Sequence, residues 1–262
     1  MLKQLLFSLG AILAGSLPVS AQTTDTAPKV IQTGHLRGIE TRQGFAVSLR
    51  PGAISGATIV VDSRLQPYLR VEVREGILHL GFNDIPHDLQ RKNLTRKAEV
   101  TVSTLEKLKV HSGSTVTGSG NFTAPGECDI DIHSGARIEG IDLAAKEVEI
   151  DVHSGADILR SRMTTQEIEI EVHSGAKAAI DGTTERLKAK VYSGASAELE
   201  NLDAADAKVS ASSGASLRCR VSRSLEASAS SGGSIRYRAA GDLLHSAVQI
   251  HTSSGGSVRQ IK

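Results

Sequence analysis

Residues 128–136 read CDIDIHSGA, residues 148–156 VEIDVHSGA and residues 168–176 IEIEVHSGA. In each copy apolar and polar residues alternate strictly up to a His-Ser-Gly step, the pattern of a strand with one buried face that ends in a tight turn. The Ser-Gly step recurs at Gly113, Gly135, Gly155, Gly175, Gly194, Gly214, Gly232 and Gly255, at intervals of 18 to 23 residues. Self-similarity at a period of about 20 residues is the signature of a solenoid in which each copy makes one circuit.

Three columns of side chains follow from that period. Three residues before the glycine stand Val110, Ile132, Val152, Val172, Val191, Ala211, Ala229 and Thr252, and five before it Leu108, Ile130, Ile150, Ile170, Ala189, Val209, Ala227 and Ile250. Three after it stand Val116, Ile138, Ile158, Ala178, Ala197, Leu217, Ile235 and Val258. All three columns are expected to line the interior. A circuit of this length holds two or three short strands with sharp corners, the arithmetic of a parallel β-helix. Glycine gives each corner a backbone conformation closed to other residues. The serine before it is a candidate for an internal hydroxyl ladder.

The expected fold class is therefore all-β, a single-chain parallel β-helix (β-solenoid) of about eight coils over residues 106–262. A less regular β region over residues 30–105 is expected to cap it, the two forming one continuous domain. Ile39 to Leu49 alternates around Gly44, Ala57 to Val61 is a β-branched run, and Leu69 to Leu80 has the form of a hairpin turning at Glu75-Gly76. The polar stretch from Asn83 to Lys97 is the best candidate for a mobile loop. A cap is needed because an uncovered first coil would offer a strand edge for aggregation. At the other end little sequence follows the last Ser-Gly step, so Arg259 and Lys262 would guard the final coil by charge, or a partner would cover it.

The chain opens MLKQLLFSLGAILAGSLPVSA, which reads as a secretory signal peptide over residues 1–21, followed by a polar, disordered lead-in over residues 22–29. No later stretch is long and apolar enough to span a bilayer, so the mature chain is expected in the periplasm or at the cell surface. Of 30 Lys and Arg residues only Lys3 lies in the leader, leaving 29 against 29 Asp and Glu, a balance that gives no reason to expect nucleic acid as a partner. The distribution is less even, with twelve carboxylates against four basic residues from Glu127 to Glu171 and eight basic against two acidic from Ala207 to Lys262. Along a linear stack this is a lengthwise dipole that could steer head-to-tail association. Cys128 and Cys219 lie four coils apart, roughly 19 Å at about 4.8 Å per coil, so both are expected as unpaired or buried thiols.

The stretch DSRLQPYLRVEVREGILHLGF (62–82), the strand EVTV (99–102), LEKLKVHSGSTVTGSG (105–120) and the Ser-Gly coils after it together resemble the family of the putative auto-transporter adhesin, head GIN domain. The resemblance covers roughly Leu36 to Ala247. It implies a β-helix-like fold in exported bacterial envelope proteins, with adhesion as the function that the family's name suggests. This sequence departs from the usual pattern in placing His before several of the Ser-Gly steps.

Two residues before glycine stand His111, His133, His153 and His173, then Tyr192, Ser212, Ser230 and Ser253, all facing outward by alternation. Asp131, Asp151 and Glu171 lie beside them, and Asp129, Glu149 and Glu169 beyond. Neighbouring strands bring equivalent side chains within about 4.8 Å. Histidine with carboxylates suits Zn²⁺ or Cu²⁺, and the carboxylates alone suit Ca²⁺, so His111, His133, His153, His173, Asp131, Asp151 and Glu171 are the candidate metal ligands. A flat strand face offers ligands from one side only, which implies weak binding and no resident cofactor. The simpler reading is a stacked histidine ladder, with Lys107, Lys109, Lys188 and Lys190 neutralising the six carboxylates between them. A third is pH sensing by four neighbouring imidazoles.

For catalysis the sequence offers no nucleophile, phosphate-loop or zinc-protease motif and no long insertion to build a cleft. It has no tryptophan, three tyrosines and four phenylalanines, too few for a platform on which sugar rings stack. Acidic sugars would have to be met by polar groups, for which Arg218, Arg220, Arg236 and Arg238 are the candidates; their simpler reading is a solubilising edge. The function expected is a non-catalytic, exported envelope or adhesion module whose partner is an envelope protein or an extracellular glycan. The alternatives are a periplasmic scaffold that self-associates through its open solenoid end, and a metal-dependent polysaccharide-active enzyme.

Overall fold

A computed structural model of the chain describes residues 28–32, 34–90, 92–241 and 247–262. The stretch read as a signal peptide and residues 22–27 of the expected lead-in lie outside the described residues. Seven strands come first: β1 (Lys29–Gln32), β2 (Gly38–Thr41), β3 (Ala46–Pro51), β4 (Gly56–Val61), β5 (Leu69–Arg74), β6 (Ile77–Phe82) and β7 (Arg96–Val102). The coils begin with β8 (Lys107–Val110), β9 (Thr115–Gly118), β10 (Asn121–Thr123), β11 (Glu127–Ile132), β12 (Arg137–Glu139), β13 (Asp142–Ala144) and β14 (Glu147–Val152). Four long strands then carry most of a circuit each: β15 (Asp157–Val172), β16 (Lys177–Val191), β17 (Ser196–Ala211) and β18 (Ser216–Ala229). The last circuits are β19 (Ser234–Ala239), β20 (Val248–Thr252) and β21 (Ser257–Ile261).

The circuits stack in parallel register on three sides. The side before each Ser-Gly corner runs β6, β2, β8, β11, β14 and on through the second halves of β15 to β18 to β20. The side after it runs β7, β3, β9, β12 and on through the first halves of β15 to β18 to β19 and β21. On the third side β10, β13 and the middle of β15 pair in the same sense. The column residues predicted to face inward do so through the first seven coils: Ile130, Ile150, Ile170 and Val172 are fully buried, as are Ile138, Ile158 and Leu217, whereas Ile250 and Thr252 of the last coil are exposed. Cys128 and Cys219 are buried free thiols, and burial pushes the Cys219 thiol up to about 12.

Each corner is a two-residue turn with φ positive at both positions, 47° to 55° at the eight serines and 67° to 77° at the eight glycines. This is type I′ geometry, which fits the right-handed twist of the strands it joins. The turn is closed by bonds such as Ala136 N–H to His133 C=O (3.2 Å), and it is stacked on the next coil by Gly135 N–H to Ser154 C=O (3.1 Å) and its equivalents. A left-handed serine costs roughly 1–2 kcal/mol, so main-chain bonds between coils hold in place a conformation that a lone turn would shed. The ladder at the corners is therefore one of main chain. The serine hydroxyl ladder expected inside is not there, because Ser134, Ser154, Ser174 and the other corner serines all point into solvent.

The region before the first Ser-Gly coil is more regular than its sequence suggests. β2 and β3 make a further circuit, with a corner at Gln43 (φ 65°) and Gly44 (φ 77°) that donates from Gly44 N–H to Ser112 C=O at 3.1 Å. The edges beyond it are antiparallel. β5 pairs with β6 through the hairpin at Glu75-Gly76, and β4 pairs with both β7 and β1. Lys29, placed in a disordered lead-in by composition, pairs with Ile59. The stretch from Asn83 to Lys97, read as a mobile loop, contains a short helix at His87–Gln90 and feeds β7. Ile85 is buried, and Leu89 and Leu94 pack on the core, so three apolar side chains tie down a segment whose composition is otherwise polar.

Candidate functional site

The outward residues of the side before the corners form a grid, because the chain returns to each strand in unbroken register. Asp129, Glu149, Glu169 and Lys188 are successive partners, and so are Asp131, Asp151, Glu171 and Lys190. His111, His133, His153 and His173 directly follow β8, β11, β14 and β15. Their ring centroids are 5.1, 4.8 and 4.7 Å apart with interplanar angles of 6°, 4° and 9°, and Tyr192 continues the column at 4.9 Å with a tilt of 39°. This surface is the histidine side.

The charges on it are paired unevenly. Lys107 reaches Asp129 at 3.3 Å and Lys109 reaches Asp131 at 3.2 Å. Lys188 holds Glu169 at 2.6 Å, and Lys190 bonds to Glu169 at 3.1 Å and also to Glu171. Asp131 also meets Nε2 of His133, and Glu171 lies 3.4 Å from Nε2 of His173. Among the described residues no cation lies within ion-pair distance of Glu149 or Asp151, on the middle strand. Burial, and then the surrounding carboxylates, raise both of these acids above the ordinary carboxylate range, although His153 draws Asp151 partly back. Glu171 is lowered by its bond from Lys190, and Glu169 by Lys188 and Lys190 against the opposing effect of burial. His153 is lowered by burial and by the rings of His133 and His173, and His111 chiefly by burial.

The seven residues proposed as metal ligands from sequence do lie on one surface, but they do not converge. Stacked rings present faces to one another, and Nε2 of His133 and of His173 is taken by a carboxylate two residues before it. Among the described residues no three His, Cys, Asp or Glu side chains form a group that could hold a metal ion.

The candidate arginines lie elsewhere, on the outward face of the side after the corners, here called the arginine side. Arg218 pairs with Arg236, which pairs with Arg259, and Arg220 pairs with Arg238. Arg218 lies 3.7 Å from Glu200, and Arg220 lies 2.8 Å from Asp203. For Arg236, Arg238 and Arg259 no carboxylate is within ion-pair distance among the described residues.

Two features of the site escaped the sequence reading. Arg42 heads the histidine column, because Thr41 pairs with Val110. His79 on β6 lies 3.2 Å from Glu40 beside it, extending the grid two strands further. The alternation around Gly44 was visible, but Gln43 stands where the other corners have serine, and 69 residues separate Gly44 from Gly113. The surface hollows are open rather than cleft-like. One of about 480 Å³ is lined by Arg37, Glu75, Glu106, Lys107, Glu127 and Asp129, with Arg37 and Glu106 paired at 2.8 Å.

A family model described as putative auto-transporter adhesin, head GIN domain, matches residues 35–241. The chain belongs to that family. A putative adhesin from Parabacteroides distasonis has the same fold, at 15% identity and TM-score 0.77, over 91% of this chain and 98% of its own. A putative lipid binding protein from the same organism matches at 15% identity and TM-score 0.73, over 92% and 98%. A putative adhesin from Bacteroides fragilis matches at 13% identity and TM-score 0.60, over 91% and 98%. No curated protein matches this sequence. Among the described residues no helix is long and apolar enough to cross a membrane.

Proposed function

We propose that this member of the head GIN domain family is an exported, non-catalytic binding module of the cell envelope that adheres through an extended repetitive surface rather than a pocket. The observation that carries the reading is the histidine side, where charged groups and stacked rings repeat at the strand spacing over successive coils. Such a surface suits a partner that itself repeats, such as an extracellular glycan or an ordered envelope polymer. Contacts of low individual strength then sum along the axis, as linked sites do. The family description and the adhesin labels of its structural relatives support the same reading.

The test is protease accessibility of the protein on intact and lysed cells, with a periplasmic protein as control. Cleavage on intact cells, together with retention of the purified protein on whole cells or extracted envelope polysaccharide, is the expected result. Protection on intact cells would move the protein to the periplasm and favour a scaffold that associates through its open end. One observation speaks for that second reading. Ile250 is 45% exposed, whereas Ile130, Ile150 and Ile170 in the same column are 0% exposed.

A further inference from the structure

The solenoid carries two patches of charge that its own chain leaves partly unpaired, and the two fit one another. On the histidine side the outward pairs of β8, β11 and β14 are Lys107 and Lys109, then Asp129 and Asp131, then Glu149 and Asp151. Glu169 and Glu171 on β15 continue the acidic run. On the arginine side β17 presents Glu198 and Glu200, β18 presents Arg218 and Arg220, and β19 presents Arg236 and Arg238. Arg259 on β21 continues the basic run. Read along the axis, one series is basic and then three times acidic, and the other is acidic and then three times basic. Both lie on the same lattice, about 4.8 Å between strands and about 7 Å between outward residues of one strand.

We propose that the histidine side of one copy packs against the arginine side of a second copy, with the solenoid axes pointing the same way and the second copy displaced by four coils, about 19 Å. Four coils separate the coil of β14, which turns at Gly155, from the coil of β19, which follows Gly232. Two coils wound in the same sense present strands that run in opposite directions where they touch. Glu149 therefore meets Arg238, Asp151 meets Arg236, and His153 faces Ser234. The flanking strands agree: Lys109 meets Glu198, Asp131 meets Arg218, and Glu171 meets Arg259. One strand further toward the N-terminus Arg42 would face Lys177, which marks where the matched contact stops.

Like charges directly opposite one another destabilise a sheet. The chain keeps Arg218, Arg236 and Arg259 in one such column, and Asp131, Asp151 and Glu171 in another. Each column removes the other's repulsion when the two meet. The carboxyls of Glu149 and Asp151, raised by burial and by each other's company, are the groups whose carboxylate form an incoming guanidinium would favour. The contact joins two different surfaces and each step adds the same displacement along the axis, so it leaves one of each surface free and propagates into a staggered chain of copies. It stands apart from the adhesive reading, since a monomer could still bind a glycan.

Sedimentation velocity of the mature chain at about 0.02 M and about 0.5 M salt reads it out, because screening shortens the reach of charges between the two conditions. The expected result is concentration-dependent association in low salt and a monomer in high salt. The pair Glu149→Arg with Asp151→Arg, and separately the pair Arg236→Glu with Arg238→Glu, should each sediment as a monomer in low salt. An equimolar mixture of the two should associate again, because each then offers the surface the other has reversed. A wild-type chain that stays monomeric in low salt at all concentrations overturns the proposal. So does association of either variant alone to the wild-type extent, or a mixture that stays monomeric while both variants keep the wild-type strand signal in circular dichroism.

Discussion

The coil through Ile150 and the coil through Ala227 have the same type of corner and the same hydrogen-bonded columns, yet they are filled by different side chains, with Ile158 and Ile235 equivalent and the other positions not. In the first, Val148, Ile150 and Val152 bring bulk from the histidine side. In the second that side supplies Leu225, Ala227 and Ala229, and the bulk comes from Ile235 and Tyr237 across the coil, with Tyr237 only 6% exposed. Interiors are packed to crystal density, so volume removed on one side has to be supplied on another. The alternation of polar and apolar residues thus fixes which way each side chain points. The size of the residue at a given point is settled only across the whole circuit.

Substitution at the two positions breaks this comparison most directly. Ile150→Ala should lower stability by about 3–4 kcal/mol, since the side chain is fully buried and its loss leaves a cavity. Ala227→Ile should cost about 1–3 kcal/mol by overpacking against the larger residues opposite. Urea unfolding of both variants checks the pair, and equal losses would show that the coils are filled alike. Gly182→Ala probes the backbone of the middle coils, because φ there is 125° and an added Cβ would lie 1.9 Å from the Met163 carbonyl oxygen of the coil below. A loss of about 2–3 kcal/mol in the same assay is expected. Ile250→Ala sharpens the contrast from the open end. With 45% of the residue already in water, its cost should stay below about 1 kcal/mol.

The pH dependence of thermal stability separates the histidine-bearing coils from the serine-bearing ones. His153 and His111 are lowered in the folded chain. Their contribution is therefore full above the unfolded value of about 6.5 and is lost as the pH falls through the folded one. Glu149 and Asp151 are raised, so their repulsion is relieved as the pH falls toward their ordinary range near about 4. The melting temperature should drop from pH 7 through about pH 6 and flatten lower down. His153→Asn should make the first part of that drop shallower, and a profile identical to wild type would mean that the column does not titrate against the fold.

Most of the fold was legible because Ser-Gly corners and strict alternation are local signals. The interior columns, the hairpin at Glu75-Gly76 and the unpaired cysteines all follow from spacing alone. The circuit through Gln43-Gly44 was not legible as a coil, since β2 enters the stack between β6 and β8, strands distant from it in sequence. The packing of the segment after Asn83 was not legible, because Ile85, Leu89 and Leu94 are too sparse to show a period. At the site, the histidine column and its neighbours could be placed from sequence, but their pairing could not. Which carboxylates the lysines reach depends on side-chain geometry, and that leaves Glu149 and Asp151 alone on the middle strand.

Because each corner between the first and the last is bonded to the corners on either side of it, the length of this molecule is quantised. Removing or duplicating the residues between two successive glycines, such as Gly155 and Gly175, returns the chain to the same column with every inward residue still inward. An insertion of half that length would rotate the remaining coils out of register and turn their interior to water. A gene encoding such a protein can therefore lengthen or shorten the stack in whole circuits, about 4.8 Å at a time, while an insertion or deletion of any other size has to be absorbed at a corner or lost.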